Sequence, residues 1–181
     1  NLLASMLKRT ATGRVLIFTR TKYRARSLAP YLKKQGHRVA ALQGDMTQNQ
    51  RQNAINGFKN GRYDVLVATD IAARGIDVSG ISHVINYDMP GSVDAYTHRI
   101  GRTGRAERTG EAFTLATYGD ALMVRDIEKV LGEKIERRRL DGFEYDGFTP
   151  ESQFQTMKPA DSRARVRSFR PRGRGRPLHA R

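Results

Sequence analysis

The apolar segments of this chain alternate between two periodicities, and this alternation restricts the fold more than any other feature. Short runs rich in Val, Ile, Leu and Phe are each followed by a stretch with apolar residues at helical spacing. Strand–helix alternation predicts a mainly parallel sheet covered by helices on both faces, that is, a three-layer α/β/α domain. The predicted strands are 14–19, 38–43, 63–69, 83–88 and 111–117, and the predicted helices are 22–36, 47–58, 92–102 and 119–132.

Several predicted helices carry end signals. Thr47 followed by Gln50 is a capping-box pattern at a helix start. Gly36 and Gly132 stand where a helix is expected to stop. Pro30 lies inside the first of these helices and predicts a kink there.

Charge is distributed unevenly along the chain. The sequence contains 33 Lys and Arg against 18 Asp and Glu, a net charge of +15, which predicts a polyanionic partner such as nucleic acid. Residues 163–181 hold eight arginines and no acidic residue, and their few aliphatic side chains predict a segment that is disordered alone. We therefore divide the chain into a folded domain over 1–140, an extension over 141–162 and a basic tail over 163–181.

Absent residue types exclude several classes of protein. Without cysteine, the chain has no disulfides, thiolate metal sites or Cys nucleophiles. No apolar run approaches the ~20 residues that cross a bilayer, and no signal peptide opens the chain. We expect a cytoplasmic protein without a membrane partner. Because the sequence starts without Met, we also expect it to be part of a longer protein.

Polar stretches follow the first two predicted strands, at the sheet edge where parallel folds bind ligands. In "TRTK", the hydroxyls of Thr19 and Thr21 and the ammonium of Lys22 could hold phosphate groups. In "QGDMTQNQR", Gly44, a helix N-terminus and Arg51 suit an anion. The alternative in both places is an ordinary helix start with solvated side chains.

A third stretch, "VATDIAARGIDV", follows the third predicted strand. Thr69 could bond a phosphate, and Gly75 could let backbone approach a ligand. Asp77 could accept hydrogen bonds from a ribose. The alternative is a surface loop with a glycine turn and an Arg–Asp pair.

The stretch "HRIGRTGR", residues 98–105, has arginines at short intervals and no carboxylate. We expect the helix to end at Gly104, so that Arg105 can turn to the side of Arg99 and Arg102. Guanidinium groups that converge without a carboxylate repel each other unless an anion arrives, and their paired donors match phosphate. The alternative is a basic helix end favoured by the helix dipole.

In this order and spacing, "VLIFTRTK", "QGDMTQNQR", "VATDIAARGIDV" and "HRIGRTGR" resemble the C-terminal motor domain of DEAD-box RNA helicases. The resemblance covers about residues 1–135, and the histidine of the last motif favours this family over DEAH-type and RecQ-type relatives. Within the family, the chain is most similar to the bacterial RhlE-like branch. The resemblance implies a RecA-like domain that closes on an N-terminal RecA-like domain of the same protein, with ATP between them and RNA across both.

The resemblance also implies roles for individual residues. Arg102 and Arg105 would be catalytic arginine fingers on the γ-phosphate. Nucleotide binding or coupling between the two halves would fall on Gly75, Asp77, His98 and Arg99, with Asp77 on the ribose. Sequence-independent contacts to the RNA backbone would fall on Thr21, Lys22, Gly44, Arg51 and Thr69.

Two motifs of such a motor are missing. The chain has no G-x-x-x-x-G-K-[ST] phosphate loop and no Asp-Glu-Ala-Asp, so Mg²⁺ would be held by the N-terminal domain. We therefore expect negligible ATPase and unwinding activity from the isolated chain. The alternative function is a non-enzymatic RNA-binding or annealing module driven by the basic tail.

Overall fold

The computed structural model describes residues 2–10, 13–76, 78–103 and 110–143. The chain divides into two units, 1–148 and 149–181, and every described residue belongs to the first. The predicted basic tail, 163–181, lies outside the described residues. The division at 140 and 162 stays a prediction.

The described part contains one sheet of five parallel strands in the order β2-β3-β1-β4-β5. This confirms the predicted α/β class with a parallel sheet. Each strand lies within two residues of its predicted start, and the last is shorter than expected. The strands are β1 (Arg14–Thr19), β2 (Val39–Leu42), β3 (Val65–Thr69), β4 (Ile81–Asn86) and β5 (Glu111–Thr114).

Four helices were expected between and after these strands, and all four are present. Two more occur: α1 precedes the first strand, and α4 is a single turn directly after β3. The helices are α1 (Leu2–Thr10), α2 (Lys22–Lys34), α3 (Gln48–Lys59), α4 (Asp70–Ala73), α5 (Val93–Ile100) and α6 (Ala121–Leu131), with a 3₁₀ turn at Tyr118–Asp120.

Helices cover both faces of the sheet because strand side chains alternate between the faces. Leu16 and Phe18 of β1 belong to a core shared with α3 and α4. Val15 and Ile17 belong to a second core shared with α1 and α2. The two cores confirm the three-layer arrangement of a RecA-like fold.

The predicted helix ends are largely confirmed. Thr47 and Gln50 form a reciprocal capping box at the start of α3, with N–O distances of 3.3 and 3.0 Å. Gly132 ends α6 with a φ of 74°, a left-handed conformation that favours glycine. α2 continues through Pro30 to Lys34, and Gly36 follows with a φ of 91°.

Candidate functional site

Four neighbouring strands end at one edge of the sheet, which we call the carboxyl edge. Their last residues are Thr19, Leu42, Thr69 and Asn86. Thr19 lies opposite Thr69 in the register of β1 and β3. The three polar stretches singled out in the sequence therefore follow strands that end side by side.

At the carboxyl edge, an ion pair joins the buried Arg99 to the partly exposed Asp70. The side chain of Arg99 is only 2% exposed, although the side chain of Asp70 is 41% exposed. Nε of Arg99 donates to Oδ1 of Asp70 at 2.6 Å, and Nη2 donates to Oδ2 at 2.7 Å. Such a two-point contact is strong because both donors and both acceptors are charged and aligned.

The rest of the Arg99 guanidinium is also engaged. Nη1 donates to the carbonyl of Asp88 at 2.8 Å and to Oδ1 of Asn86 at 3.2 Å. The guanidinium carbon lies 5.1 Å from the centroid of the Phe18 ring. The amide of Asn86 is held in turn by a bond from Nδ2 to Oγ1 of Thr114.

The expectation that the arginines of 98–105 have no carboxylate partner is thus wrong for Arg99. A buried guanidinium needs a counter-charge, and here it comes from the residue after β3, outside the motif itself. With four donor contacts made inside the domain, Arg99 holds the C-terminal end of α5 against the carboxyl edge. Its expected role toward a second domain stays a prediction.

The helix that carries Arg99 ends sooner than expected. α5 stops at Ile100, and the expected end at Gly104 is wrong. Arg102 and Thr103 continue as a tight turn, with N–H groups bonded to the carbonyls of Arg99 and Ile100 at 3.1 Å. Oγ1 of Thr103 donates to the carbonyl of Ile81 at 2.8 Å, which draws the chain away from the helix axis toward β4.

Arg102 is the second residue after α5, and it reaches across to the segment that follows α4. Its Nη1 donates to the carbonyl of Ile76 at 3.0 Å. Ile76 directly precedes Asp77 in the sequence, so the structure brings Arg102 to the backbone beside a second predicted site residue. Gly75, in the same segment, has a φ of 73° and open space where a side chain would project.

Two expectations for this region lie outside the described residues. They are the ribose contact of Asp77 and the finger role of Arg105. The roles of Asp77 and Arg105 stay predictions.

The stretch after β1 is only partly available to a ligand. Thr19 is fully buried, and its hydroxyl donates to the carbonyls of Thr21 and Ala68 at 3.3 and 3.5 Å, so the expected phosphate contact from Thr19 is wrong. Thr21 is exposed and caps α2, where its Oγ1 accepts from the N–H of Arg24 at 3.2 Å. Lys22 remains partly exposed at the helix start.

Lys22 has an acidic neighbour that the sequence stretch did not reveal. Its Nζ lies 2.9 Å from Oδ1 of Asp45, which follows Gly44 in the second polar stretch. The hydrogen bond and the charge of Asp45 raise the pKa of Lys22 above its ordinary value. Any phosphate that binds Lys22 therefore competes with this carboxylate.

The second polar stretch presents a glycine and an arginine in different settings. Gly44 is exposed, and no atom lies within 4 Å of the position where a Cβ would stand. Arg51 is half-buried, and its Nη2 donates to the carbonyl of Ala72 at 3.2 Å, which ties α3 to α4. Arg51 thus supports the short helix that follows Thr69.

Thr69 and His98 occupy contrasting positions. Thr69 is half-buried at the end of β3, and its side chain makes no capping bond to α4. His98 lies on the exposed side of α5, where Nδ1 is 3.3 Å from Oδ2 of Asp94. The structure therefore places Thr69 at the carboxyl edge and His98 toward solvent.

Three residues of the site were missed as partners in the sequence: Asp70, Asn86 and Asp88. Asp88 also accepts a bond from the backbone N–H of Arg20 at 2.9 Å and pairs with Arg24. Asp70 follows a predicted strand and Asp88 ends one, and that position was the available signal; Asn86 lies inside the predicted strand 83–88 and ends the observed β4. The sequence did not predict that all three residues bond to Arg99.

Other site types are not found in the described part of the chain. No group of three or more His, Cys, Asp or Glu side chains there is arranged to hold a metal ion. None of the described helices is long and apolar enough to span a bilayer.

The family model and the similar proteins that match this chain all point to the same family. Residues 1–107 match the helicase conserved C-terminal domain. The chain is 46% identical over 124 residues to the DEAD-box ATP-dependent RNA helicase CshA of Bacillus subtilis, an alignment that covers 68% of this chain and 25% of the relative. It is 44% identical over 140 residues to the ATP-dependent RNA helicase SrmB of Escherichia coli, covering 77% and 32% of the two chains.

Solved structures agree. The crystal structure of E. coli SrmB bound to regulator of ribonuclease activity A has a TM-score of 0.73 at 44% identity, covering 77% of this chain and 82% of that chain. S. cerevisiae Dbp5 bound to RNA and ADP BeF3 has a TM-score of 0.69 at 36% identity, covering 77% and 37%. The chain spans a quarter to a third of the length of CshA and SrmB. The RhlE-like branch stays a prediction.

Proposed function

The chain belongs to the helicase conserved C-terminal domain family as a C-terminal domain of DEAD-box RNA helicases, and on this basis we propose that it is one half of an ATP-dependent RNA helicase. In this proposal, ATP lies between this domain and an N-terminal RecA-like domain of the same protein, and RNA lies across both. CshA and SrmB are ATP-dependent RNA helicases by name, and Dbp5 has been solved with RNA and ADP BeF3. We propose the cytoplasm as the location.

The observation that carries the proposal is the bond from Arg102 to the carbonyl of Ile76, 3.0 Å long and spanning 26 residues. It sets a guanidinium beside the segment that contains Gly75 and Asp77. Among the described residues, Ile76 is the sole acceptor for Arg102. In this proposal the remaining N–H groups of Arg102 bind the γ-phosphate, together with Arg105, while Asp77 accepts from the ribose.

In the same proposal, RNA contacts fall on the carboxyl edge nearer to β2 and β1. Thr21, Lys22 and Gly44 provide a hydroxyl, an ammonium and exposed backbone within this edge, and Thr69 adds a hydroxyl at the end of β3. Arg51 supports α4 through Ala72 and adds positive charge. Such contacts read the sugar-phosphate backbone, so binding is largely independent of base sequence.

The ion pair between Asp70 and Arg99 connects these two regions. Thr69, an RNA contact in this proposal, precedes Asp70 directly, and Arg99 stands one turn before Arg102. A shift at Thr69 on RNA binding would therefore reach Arg102 through a rigid, charge-assisted contact. We propose this link as a route by which RNA stimulates ATP hydrolysis.

This chain contributes no phosphate loop and no Asp-Glu-Ala-Asp, so Mg²⁺ belongs with the N-terminal domain, where it would neutralise phosphate charge. The residues here bind and orient, and they supply positive charge to the transferred phosphate. An arginine finger is worth about 10³- to 10⁵-fold in rate, but only where the rest of the site exists.

The test is to supply the N-terminal half and measure ATP hydrolysis with and without RNA. We expect RNA-stimulated hydrolysis from the assembled protein, almost none from the 181-residue chain alone, and loss of stimulation with Arg102→Ala. Helicase-like turnover by the isolated chain, or an assembled protein indifferent to Arg102→Ala, would refute this division of roles.

The eight arginines of 163–181 favour a second candidate, a non-enzymatic RNA-binding or annealing module. Strand annealing without ATP, unchanged by Arg102→Ala and lost when the tail arginines are replaced by serine, would identify it. The four ordered motifs favour the motor.

A further inference from the structure

A groove of about 480 Å³ lies beside β2, the strand at one end of the sheet, between α2 and α3. We call it the β2 groove. Its lining extends from Gln43 and Asp45, which follow β2, to Val39 at the start of the strand and Tyr63 shortly before β3. Because β2 has four residues, the groove runs for about 13 Å, at ~3.3 Å per residue. It therefore leads from the carboxyl edge toward the opposite edge of the sheet.

The helix α2 places a row of cations along this groove. Lys22, Arg26 and Lys33 lie within about 40° of one another around a helix of ~3.6 residues per turn. Arg26 and Lys33 line the groove, and both are exposed. The helix contains no acidic residue. The row therefore begins at the carboxyl edge, where α2 starts, and continues along the groove for about 16 Å, at ~1.5 Å per residue.

One carboxylate lies at the entrance of the β2 groove and only partly offsets this charge. Oδ1 of Asp45 is 2.9 Å from Nζ of Lys22, and Oδ2 is 3.9 Å from Nη1 of Arg26. Lys33, farther along the groove, forms no salt bridge with another described residue. The row of three cations thus exceeds the acidic charge beside it, and the groove favours an anion.

Amide side chains supply further donors to the groove. Gln43, Gln50 and Asn53 belong to its lining, and Gln50 and Asn53 are exposed one turn apart on α3. Oε1 of Gln43 accepts from the N–H of Asp45 at 2.7 Å, and Oε1 of Gln50 accepts from the N–H of Thr47 at 3.0 Å. Since both oxygens are engaged inside the domain, these two side chains offer a ligand their amide nitrogens, which only donate. Donors next to cations suit phosphate oxygens.

We propose that the β2 groove binds the sugar-phosphate backbone of a single RNA strand that continues from the carboxyl edge. This inference rests on the proposed function, in which Lys22 and Gly44 contact RNA at the entrance of the groove. A strand held there meets the groove at high effective concentration, whereas an acidic protein segment would have to bind by itself. Amide side chains also match the 2′-hydroxyl, which both donates and accepts.

The contacts in the β2 groove are to the backbone, so they add length to the binding site without adding sequence preference. Tyr63 is an aromatic residue of the lining, but it is partly buried and packs against the core, so it offers no stacking platform for a base. The domain therefore favours strands long enough to reach from the carboxyl edge to Lys33.

The test titrates the 181-residue chain with oligouridines of about 6 and about 12 nucleotides, followed by fluorescence anisotropy. The matched variants are Lys33→Ala, in the groove, and Lys34→Ala, outside its lining. Lys34 is also exposed and lies about 100° around α2 from Lys33, so the pair separates position from charge. NMR follows the side-chain amide signals of Gln50 and Asn53 on the opposite wall.

We expect the shorter RNA to stay at the carboxyl edge, which offers more contacts, and the longer one to enter the groove. Lys33→Ala should weaken binding of the longer RNA about threefold or more and reduce its slope of log K against log salt by about 0.7. It should change binding of the shorter RNA by less than about 1.5-fold, and Lys34→Ala should affect both RNAs equally. The amide signals of Gln50 and Asn53 should shift with the longer RNA only.

Three results would overturn the proposal: equal effects of Lys33→Ala and Lys34→Ala on the longer RNA, amide signals that do not shift, or an equal shift with a poly-glutamate peptide of the same charge. The last result would assign the groove to an acidic protein partner.

The binding test needs neither ATP nor the N-terminal half, so its outcome is separate from that of the proposed function. If the assembled protein hydrolyses ATP in response to RNA but the two lysine variants bind RNA alike, the groove proposal fails and the proposed function stands. If only Lys33→Ala weakens the longer RNA but RNA stimulates no hydrolysis, the groove proposal stands and the proposed function fails.

Discussion

Arg99 and Asp70 form a two-point ion pair at 2.6 and 2.7 Å across 29 residues of sequence. The pair fastens the last turn of α5 to the first residue after β3. Because Arg102 follows Arg99 by three residues and bonds to Ile76, the position of the proposed finger depends on this contact. Arg99 and Arg102 are therefore held in place by contacts within the domain itself.

Replacing the carboxylate should test this dependence through stability. Asp70→Asn leaves a buried guanidinium without a counter-charge, and we expect the free energy of unfolding to fall by about 2–4 kcal/mol, less than for a fully buried pair because Asp70 is partly exposed. Urea unfolding followed by circular dichroism measures it. Asp94→Asn removes the carboxylate of an exposed pair with His98 and should cost under about 0.5 kcal/mol. Equal losses in the two variants would show that the burial of Arg99 contributes nothing.

The proposed finger should require a guanidinium and not merely a positive charge. Arg102→Lys keeps the charge but loses the planar pair of donors, so RNA-stimulated ATP hydrolysis by the assembled protein should fall about 100-fold or more. Steady-state ATPase assays measure it, with the thermal midpoint showing that the fold is intact. Arg62→Ala, at an exposed position, is the control and should leave the rate unchanged. If Arg102→Lys kept the wild-type rate of ATP hydrolysis, Arg102 would not act as an arginine finger.

Asp45 should act against RNA binding, because it competes with phosphate for Lys22. Asp45→Asn should tighten binding of a single-stranded RNA about threefold or more. Lys22→Ala should weaken it and reduce the slope of log K against log salt by about 0.7. Fluorescence anisotropy at four salt concentrations measures both. Lys59→Ala, near the end of α3, is the control for loss of one positive charge. Unchanged slopes and affinities in both variants would place the RNA elsewhere.

Gly57 should tolerate no side chain, although it lies inside a helix. A Cβ there would stand 2.5 and 2.7 Å from ring carbons of Tyr63, so the ring must move off the core. Replacing an exposed glycine inside a helix by alanine usually raises the free energy of unfolding by about 1 kcal/mol. We expect Gly57→Ala instead to lower the free energy of unfolding by about 1–2 kcal/mol. Thermal and urea unfolding measure it, and Gly44→Ala, with open space around it, should be nearly neutral. A stabilised Gly57→Ala would mean that Tyr63 relocates freely.

Periodicity was sufficient to predict the five strands, the four helices α2, α3, α5 and α6 and the parallel sheet, because each of these depends on local apolar spacing. The helix α1, whose Leu3 and Leu7 pack on the sheet, was not predicted. Periodicity failed for α4 because one turn is too short to show a period.

The sequence predicted which polar stretches lie at the site, but it did not predict which of their side chains bond to each other. The carboxyl edge follows from the parallel topology, so the polar stretches were expected to lie together. Which carboxylate neutralises Arg99, and the burial of Thr19, depend on contacts between distant segments. α5 ends before Gly101, a local stop signal that the prediction passed over in favour of Gly104, and the bond from Thr103 to Ile81 just beyond it joins segments distant in sequence.

The distance in sequence between Asp70 and Arg99 has a consequence for biosynthesis. Chains fold in part as they leave the ribosome, and β1, β2, β3 and β4 are all complete before residue 99 is made. Until then Asp70 lacks the guanidinium with which it pairs in the folded domain. The carboxyl edge of the nascent domain therefore cannot take its final shape before residue 99 has been added, and a chain cut short of that point lacks the contact.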